Sequence, residues 1–231
     1  MSDMPNQERN ERLYPKWHSS RYFGLVRLRQ AIEGIVRKYE FKDKIVVDMG
    51  CGSMPYKPLF QHVVKKYLGA DIPENESAEI HLEPQTSRVE LEDGFADYVI
   101  STQVLEHVEA PEKYLREARR ICKANGRLVI STHGAWRYHP EPNDYWRWTA
   151  SGLRKILADN GWHVEEMMGI FGFAASSMAL FQDAVSEKLP RFLDLPFCVV
   201  MQQFINLLDK WYSAEGRTEN ATLYVMIARR K

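Results

Sequence analysis

The chain has 231 residues, and its 31 Lys plus Arg are balanced by 31 Asp plus Glu, so the formal net charge at pH 7 is zero. That length suits one α/β domain with an extension, and the balanced charge gives no reason to expect nucleic acid as a partner. Three widely spaced cysteines form no pair motif, which is typical of reduced cytoplasmic thiols rather than of a disulfide framework or a metal site.

The N-terminal residues predict a leader followed by a helix. Residues 1–18 are expected to be a flexible leader, and their polar start lacks the apolar core of a signal peptide. Apolar side chains recur at helical spacing over residues 19–39, so we expect a helix there, capped by Ser19 or Ser20. Residues 19–231 are expected to form one domain.

A predicted strand over residues 44–49 leads into a glycine-rich turn. The strand contains an acid, Asp48, and the chain passes through Gly50 and Gly52 into a helix expected to begin at Pro55. Glycines let a ligand approach the backbone closely, and proline is tolerated in the first helical turn. A dinucleotide fingerprint needs a third glycine where Pro55 stands. Considered alone, this segment has two alternative interpretations: another kind of nucleotide site, or a turn that arose by chance.

The next elements alternate between helix and strand, which predicts a parallel sheet with helices on both faces. The strand that follows the glycine turn also ends in an acid, Asp71. The predicted strands of this part cover residues 66–71, 78–82, 97–102 and 127–132, and the predicted helices cover 56–65 and 111–122.

The C-terminal part begins with a long loop. The loop at residues 134–148 is aromatic, and loops of that length are usually functional. Thr149 is expected to cap a helix that stops at Asn160 and Gly161. A helical insertion at residues 174–212 is predicted to precede the last strand. The remaining predicted elements are strands at 162–170 and 221–228 and helices at 174–188 and 195–212.

The most apolar segment covers residues 192–208. A spanning helix needs roughly 20 mostly apolar residues. Because the segment contains Asp194, Pro196 and Gln202, we expect no transmembrane segment. Core packing or a homodimer contact is the expected use of its apolar side chains, and a peripheral contact with a membrane stays open.

Four separated motifs occur in one order along the chain. They are the strand and glycine turn at 46–56, Tyr-Leu-Gly-Ala-Asp at 67–71, a strand that runs into Glu-His-Val at 106–108, and Gly-Arg-Leu-Val-Ile-Ser-Thr at 126–132. This ordered set resembles the class I, seven-strand S-adenosylmethionine-dependent methyltransferases, in particular their type 11-like branch, over about residues 40–165. The resemblance implies a Rossmann-like α/β fold. That fold has a mostly parallel seven-stranded sheet with helices on both faces, an N-terminal helix and a helical insertion before the last strand.

The resemblance implies S-adenosylmethionine as the cofactor, bound beyond the carboxyl ends of the strands. Asp48 would order the glycine loop or reach the amino group, and Asp71 would accept both ribose hydroxyls. The alternatives are a turn-capping role for Asp48 and a solvated strand end for Asp71. Glu83, Glu90 and Glu92 are not at a spacing that identifies the adenine contact. The residues expected to hold the cofactor are Asp48, Gly50, Cys51, Gly52, Asp71, Ile72, Gln103, Val104 and Leu105.

The loop after the predicted strand at 127–132 carries a second, narrower resemblance. Residues 133–149 hold two histidines, two arginines, two acids and five aromatic residues. The loop resembles the His-Pro…Asp-Tyr-Trp-Arg segment of methyltransferases associated with bacterial surface polysaccharide synthesis. This resemblance implies a cytoplasmic enzyme that O-methylates a sugar or glycan intermediate.

The side chains of this loop suit that chemistry. An alcohol acceptor benefits from a general base, for which His139 is the first candidate and His133 the second. Asp144 and Arg147 are expected to bind hydroxyls or a phosphate at the catalytic site. Alternatively, this pair locks the loop by a salt bridge, and the tryptophans are its own small core. The aromatic side chains expected to stack on a sugar ring are Tyr138, Tyr145, Trp146 and Trp148.

Two further expectations concern the site. Glu106 and His107 are expected to build the loop and the start of a helix more than to touch the substrate. No metal site is expected, because the histidines are scattered and no paired carboxylates accompany them. Two other functions stay open: methylation of another small molecule, such as a quinone, and a non-catalytic cofactor-binding scaffold.

Overall fold

The computed structural model describes residues 11–231. Its strands are Ile45–Met49 (β1), Lys66–Asp71 (β2), Ile80–His81 (β3), Ala96–Thr102 (β4), Cys122–His133 (β5), Trp162–Ile170 (β6) and Leu223–Arg230 (β7). Its helices are Tyr22–Lys38 (α1), Lys57–Phe60 (α2), Pro111–Ile121 (α3), Ala150–Asp159 (α4), Phe173–Ser186 (α5), Arg191–Asp209 (α6) and Ala214–Glu219 (α7).

The strands form one sheet in the order β3-β2-β1-β4-β5-β7-β6. The first five strands in that order are parallel, and β7 runs antiparallel to both β5 and β6. The predicted fold class, a mostly parallel seven-stranded sheet of the Rossmann-like methyltransferase type, is confirmed. The strand order reverses at β1 and β4, and an open parallel sheet binds its ligands in the crevice at such a point.

The sheet is buried on both faces. In β1, Val46 belongs to a cluster with apolar side chains of α1 and α6, and Val47 belongs to a cluster with side chains of α3 and α4. Successive side chains of a strand point to opposite faces, so the apolar run Ile45-Val46-Val47 of β1 is what a doubly covered strand requires. The insertion before β7 therefore covers the same face as α1.

Two elements differ from their predicted bounds. The helix after the glycine turn, α2, is only four residues long. The proline at its start is Pro58, not Pro55 as predicted. Its predicted continuation contains the β-branched pair Val63 and Val64, which lose side-chain freedom in a helix, and the chain turns there instead. Strand β5 begins five residues before its predicted start, because an irregularity in register lets Cys122 pair with Ala96.

The helix caps follow the sequence signals in one case and depart from them in another. Thr149 caps α4 as predicted, since its Oγ1 accepts a hydrogen bond from the Gly152 amide at 3.0 Å. The N-cap of α1 is Arg21, which makes no side-chain capping bond. The predicted cap Ser19 lies two residues before the N-cap position, and its Oγ accepts a hydrogen bond from the Arg21 amide at 3.2 Å.

The described end of the predicted leader lies against the domain. Leu13 is buried, and its carbonyl oxygen accepts a hydrogen bond from Arg29 Nη1 at 2.7 Å. Residues 1–10 of that prediction lie outside the described residues. Within the insertion, α6 is long and apolar enough to cross a membrane by length and composition, but a third of its apolar window is buried in the domain.

Candidate functional site

A cavity of about 800 Å³ lies beyond the carboxyl ends of β1, β2, β4 and β5. Its floor is the glycine turn with the ends of β2 and β4. Its opposite wall comes from residues near the start of α1 and from the insertion helices. Nothing in the local sequence pattern of those helices marks the side chains that face the cavity. The cavity-lining residues not predicted for the site include Arg21, Asn75, Trp136, Asp183, Ser186 and Asp194.

The glycine turn has two differently constrained glycines. Both adopt a positive φ, +68° at Gly50 and +49° at Gly52. Residues with a Cβ rarely adopt this backbone conformation. A Cβ at Gly50 would lie 2.6 Å from Val104 Cγ1, so that position is closed by packing. A Cβ at Gly52 would meet no atom within 4 Å. Gly52 therefore leaves open space beside the cavity, and it lines the cavity together with Gly50 and Cys51.

Asp71 holds the glycine turn and lines the cavity. Its Oδ2 accepts hydrogen bonds from the Gly52 amide at 2.7 Å and from Asn75 Nδ2 at 2.8 Å. Its Oδ1 accepts from the amide of Ile72, another cavity residue, at 2.9 Å. Asn75 also donates to the Gly52 carbonyl oxygen at 2.9 Å, so the two side chains fix the turn from one side. No pattern around Asn75 predicts this role.

Asp48 lies beneath the turn and does not line the cavity. Its side chain is buried, its Oδ2 accepts a hydrogen bond from the Tyr67 hydroxyl at 2.7 Å, and its Oδ1 has no hydrogen-bond partner. Burial raises the pKa of Asp48 to about 7, although the Tyr67 hydroxyl acts in the opposite direction. A carboxyl in this place supports the turn from below, while Asp71 supports it from the side.

The residues after β4 divide between the cavity and the core. Gln103 has a positive φ of +59°, a strained conformation for a residue with a side chain. Two bonds to Ser131 hold it there, from its amide to the carbonyl oxygen and from Nε2 to Oγ, both at 2.9 Å. Gln103 and Val104 line the cavity. Leu105, predicted with them, is completely buried in the core, because the chain turns after Val104 and directs the next side chain inward.

Glu106 and His133 form a buried pair at the cavity wall. Glu106 is completely buried, its Oε2 accepts a hydrogen bond from Thr132 Oγ1 at 2.8 Å, and its Oε1 lies 2.8 Å from His133 Nδ1. That second contact departs from hydrogen-bond geometry, although its distance is that of a close polar contact. Burial by itself would raise the pKa of Glu106, but His133 and Thr132 together hold it below its ordinary value. The His133 ring lines the cavity and stacks on Trp136, with centroids 5.1 Å apart.

Three imidazole rings meet in the cavity. The ring centroid of His139 lies 6.0 Å from that of His133 and 5.8 Å from that of His107, and all three residues line the cavity. Burial lowers the pKa of His139, while Glu141, 3.6 Å away, acts in the opposite direction. Within residues 11–231, these rings and the acids near them do not form a group that could hold a metal ion.

The aromatic loop is locked, and most of its predicted substrate residues lie outside the cavity. Arg147 Nη1 and Nη2 donate to Asp144 Oδ1 and Oδ2, both at 2.5 Å, and Asp144 Oδ2 also accepts from the His139 amide. Trp146 Nε1 donates to the Val108 carbonyl oxygen at 2.8 Å. The predicted site residues of this loop that do not line the cavity are Tyr138, Asp144, Tyr145, Trp146, Arg147 and Trp148.

The Glu-His-Val segment is the anchor for this loop. The Glu106 carbonyl oxygen accepts hydrogen bonds from the amides of Tyr145 at 2.9 Å and Trp146 at 3.2 Å. His107 Nδ1 lies 2.5 Å from the Asn143 carbonyl oxygen. The segment thus builds the loop, as expected, and it also brings Glu106 and His107 to the cavity wall. The adenine candidates Glu83, Glu90 and Glu92 do not line the cavity.

Comparison with known proteins places this fold in a family. A family model described as "Methyltransferase domain" matches residues 9–176. A protein named as a probable S-adenosylmethionine-dependent methyltransferase of Mycobacterium tuberculosis is 27% identical over 142 residues, which are 54% of this chain and 51% of that protein. The chain thus spans about half the length of the curated relatives that it matches.

Solved structures share the fold at low sequence identity. The S-adenosylmethionine-dependent methyltransferase of Mesorhizobium loti has a TM-score of 0.55 at 15% identity, covering 92% of this chain and 98% of the other. The [4+2]-cyclase SpnF has a TM-score of 0.58 at 14% identity, covering 89% and 80%. Because the family model matches well over half of the chain, this protein belongs to the methyltransferase domain family of class I S-adenosylmethionine-dependent methyltransferases.

Proposed function

We propose that this protein is a cytoplasmic enzyme that O-methylates a sugar or glycan intermediate, with S-adenosylmethionine as the methyl donor. The observation that carries the proposal is the position of His133. Its ring lines the same cavity as the glycine turn, and its Nδ1 contacts the buried carboxylate of Glu106. A cofactor site and a positioned base then share one enclosed space, which alkylation of a hydroxyl requires.

The residues of the cavity floor fit S-adenosylmethionine. Gly52 leaves room for close approach, and Asp71 presents a carboxylate beside it for hydroxyl groups of the ribose. Gln103 and Val104 stand where the methionine portion would pass. When bound, this cofactor supplies an electrophilic methyl group on a sulfonium.

The base that we favour is His133. His139, the first candidate from sequence, lines the cavity, but its acidic neighbour Glu141 is exposed and 3.6 Å away. Glu106 faces His133 Nδ1 from a completely buried position, so Nε2 is the ring nitrogen left to take a proton from an acceptor hydroxyl. Glu106 then acts as a positioning residue, because its charge holds the ring orientation and stabilises the protonated ring.

The upper part of the cavity favours a polar acceptor. Its wall includes Arg21, Asp183 and Ser186, groups that donate and accept hydrogen bonds. A hydroxyl-rich sugar suits such a wall better than a quinone does. Trp136 is the aromatic loop residue that lines the cavity, and we assign it to stacking beside His133. The sugar-stacking roles predicted for the other aromatic residues require the loop to move.

Two alternatives are kept. Methylation of another small molecule uses the same floor and base, and it would be recognised by turnover of a quinone or similar metabolite but not of sugars. The second alternative is a non-catalytic scaffold that binds the cofactor. The fold alone does not decide between these functions, since the solved structure named as a [4+2]-cyclase shares it.

The first experiment is a calorimetric titration of the wild type and Asp71→Asn with S-adenosylmethionine and S-adenosylhomocysteine. We expect micromolar binding by the wild type and its loss in the variant, because Asp71 both holds the turn and faces the cavity. Asp159→Asn, an exposed aspartate on α4, is the matched control and should bind like the wild type. A wild type that binds neither compound would overturn the proposal. Binding justifies screening sugar and quinone acceptors for release of S-adenosylhomocysteine.

A further inference from the structure

Helix α6 presents an apolar stripe to the outside of the molecule. Side chains three or four residues apart lie on one face of a helix. The exposed fraction is 76% at Phe192, 67% at Val200, 52% at Leu207 and 74% at Trp211. We call this set the outer stripe, and its members are Phe192, Pro196, Val200, Phe204 and Leu207 on α6, together with Trp211 two residues past the end of the helix.

The opposite face of α6 ties the helix to the domain. Gln202 Nε2 donates to the Ser20 carbonyl oxygen at 2.7 Å and to Gln182 Oε1 at 2.9 Å. Asp209 is completely buried and forms ion pairs with Arg27 and Arg217. Crossing a membrane would separate these pairs and bury an uncompensated carboxylate, which is costly. The helix is therefore built to lie on a surface with its outer stripe facing away from the domain.

The two ends of the stripe carry exposed cations without ion-pair partners, whereas of the exposed acids nearby Glu187 is paired with Arg137, and Glu215 and Glu219 lie on α7. Lys188 and Arg191 lie exposed at the N-terminal end of α6, Lys210 lies exposed at its C-terminal end, and none of them forms an ion pair with a described residue. The acids of the helix turn away: Asp194 contacts Ser186 and Cys198, and Asp209 is inside. An apolar helix face with aromatic residues and flanking cations suits the interface of an anionic bilayer.

A second copy of this chain fits the stripe less well. Pairing two stripes along α6, in either orientation, would bring the unpaired cations at its ends, Lys188, Arg191 and Lys210, against one another. Anionic headgroups would instead neutralise these cations.

We propose that the outer stripe of α6 docks this protein on the surface of an anionic lipid bilayer, with the helix in the interfacial plane. Asp194 and Cys198 on the same helix line the cavity from the face opposite the stripe, so docking leaves those cavity contacts in place. The proposal is independent of the acceptor, and it stands whether or not the protein methylates a sugar.

The test is co-sedimentation of the full chain with vesicles of phosphatidylcholine and phosphatidylglycerol. Val200→Glu places a charge in the outer stripe, and Val63→Glu, at an exposed valine that precedes β2, is the matched control. We expect the wild type and Val63→Glu to bind alike, and Val200→Glu to bind at least about tenfold more weakly. Circular dichroism melting of each variant checks that the fold is retained.

Two further arms separate the outcomes. Vesicles of phosphatidylcholine alone, and anionic vesicles at high salt, should both bind the wild type more weakly, because the flanking cations contribute. Equal binding by Val200→Glu and the wild type, or no binding by the wild type, would overturn the proposal. A dimer by light scattering that Val200→Glu dissociates would assign the stripe to a second copy instead.

Discussion

At the scale of single residues, the contact between Glu106 and His133 decides the chemistry that we assign. A buried carboxylate normally becomes harder to ionise, yet the pKa of Glu106 lies below its ordinary value, because His133 and Thr132 stabilise its charge. A carboxylate that stays charged beside an imidazole orients the ring and favours its protonated form. His107 Nε2 lies 4.0 Å from the same Glu106 oxygen, farther away than His133 Nδ1 at 2.8 Å, and the acid beside His139 is exposed.

We predict that His133→Asn lowers kcat by about 10²- to 10⁴-fold, while affinity for S-adenosylmethionine is unchanged, because the substitution removes the base and leaves the cavity floor intact. Steady-state rates with an acceptor found by screening, together with calorimetry, measure both quantities. His163→Asn, at an exposed position of β6, is the matched control. If His139→Asn carries the larger loss, the base is His139, as the sequence first indicated.

Glu106→Gln tests the positioning role without needing an acceptor. The change keeps the shape of the side chain but removes the charge that faces His133 Nδ1. Nitrogen-15 spectra of the histidine rings should show a proton held on His133 Nδ1 in the wild type, and a changed distribution of the proton between Nδ1 and Nε2 in the variant. An unchanged ring signal would mean that Glu106 only fills space beside the loop.

At the scale of elements, the loop between β5 and α4 is a rigid wall rather than a mobile lid. The forked contact between Asp144 and Arg147 closes the loop on itself, and the Glu106 carbonyl oxygen ties it to the end of β4. The contacts of Asp144 and Arg147 are those of a salt bridge that locks the loop, which was the alternative interpretation of this pair. A substrate role for Asp144 and Arg147 stays a prediction.

Asp144→Ala should speed hydrogen exchange at the Tyr145 and Trp146 amides and reduce turnover, because the guanidinium of Arg147 loses its partner and the loop loosens. Affinity for the cofactor should not change, since the pair lies outside the cavity. Asp159→Ala breaks an exposed pair with Lys155 and serves as the control. If turnover and hydrogen exchange in Asp144→Ala both match the wild type, the loop does not contribute to the active site.

At the scale of the whole molecule, two buried acids give stability opposite dependences on pH. The pKa of Asp48 is raised by burial from 3.8 to about 7, so its folded form binds a proton more tightly than its unfolded form. That contribution to stability is present below about pH 4 and is lost as the pH rises toward 7. Glu106, whose pKa is lowered, instead contributes stability at higher pH and loses it as the pH falls.

We therefore predict that Asp48→Asn becomes more stable relative to the wild type as the pH rises from 4 to 7. The amide keeps an acceptor for the Tyr67 hydroxyl and has no charge to bury. Each pH unit in that window changes the difference by at most about 1.4 kcal/mol. Urea unfolding at several pH values measures it, with Asp159→Asn as the control. A constant difference between Asp48→Asn and the wild type would mean that Asp48 is ionised in the folded protein.

Local patterns were enough to predict most elements and the floor of the site. The β1 strand, its glycine turn and the acid that ends β2 are encoded in short, contiguous segments, because strand burial and turn conformation depend on near neighbours. Gly50, Gly52, Asp71 and Gln103 accordingly all lie at the cavity. The early start of β5 was not predicted, because it depends on pairing of Cys122 with Ala96 in the neighbouring strand. The short α2 was not predicted either, because the unfavourable pair Val63 and Val64 was given too little weight.

The sequence by itself determined the order of strands and helices, the family, and the residue types available for cofactor and base. The tertiary structure alone decided which of these side chains share a space. It paired Glu106 with His133 across 27 positions of the chain, placed Leu105 in the core, and turned the insertion into a cavity wall on one face and an apolar stripe on the other. Such contacts depend on how the elements pack over the sheet, and a pattern of neighbouring residues does not encode that packing.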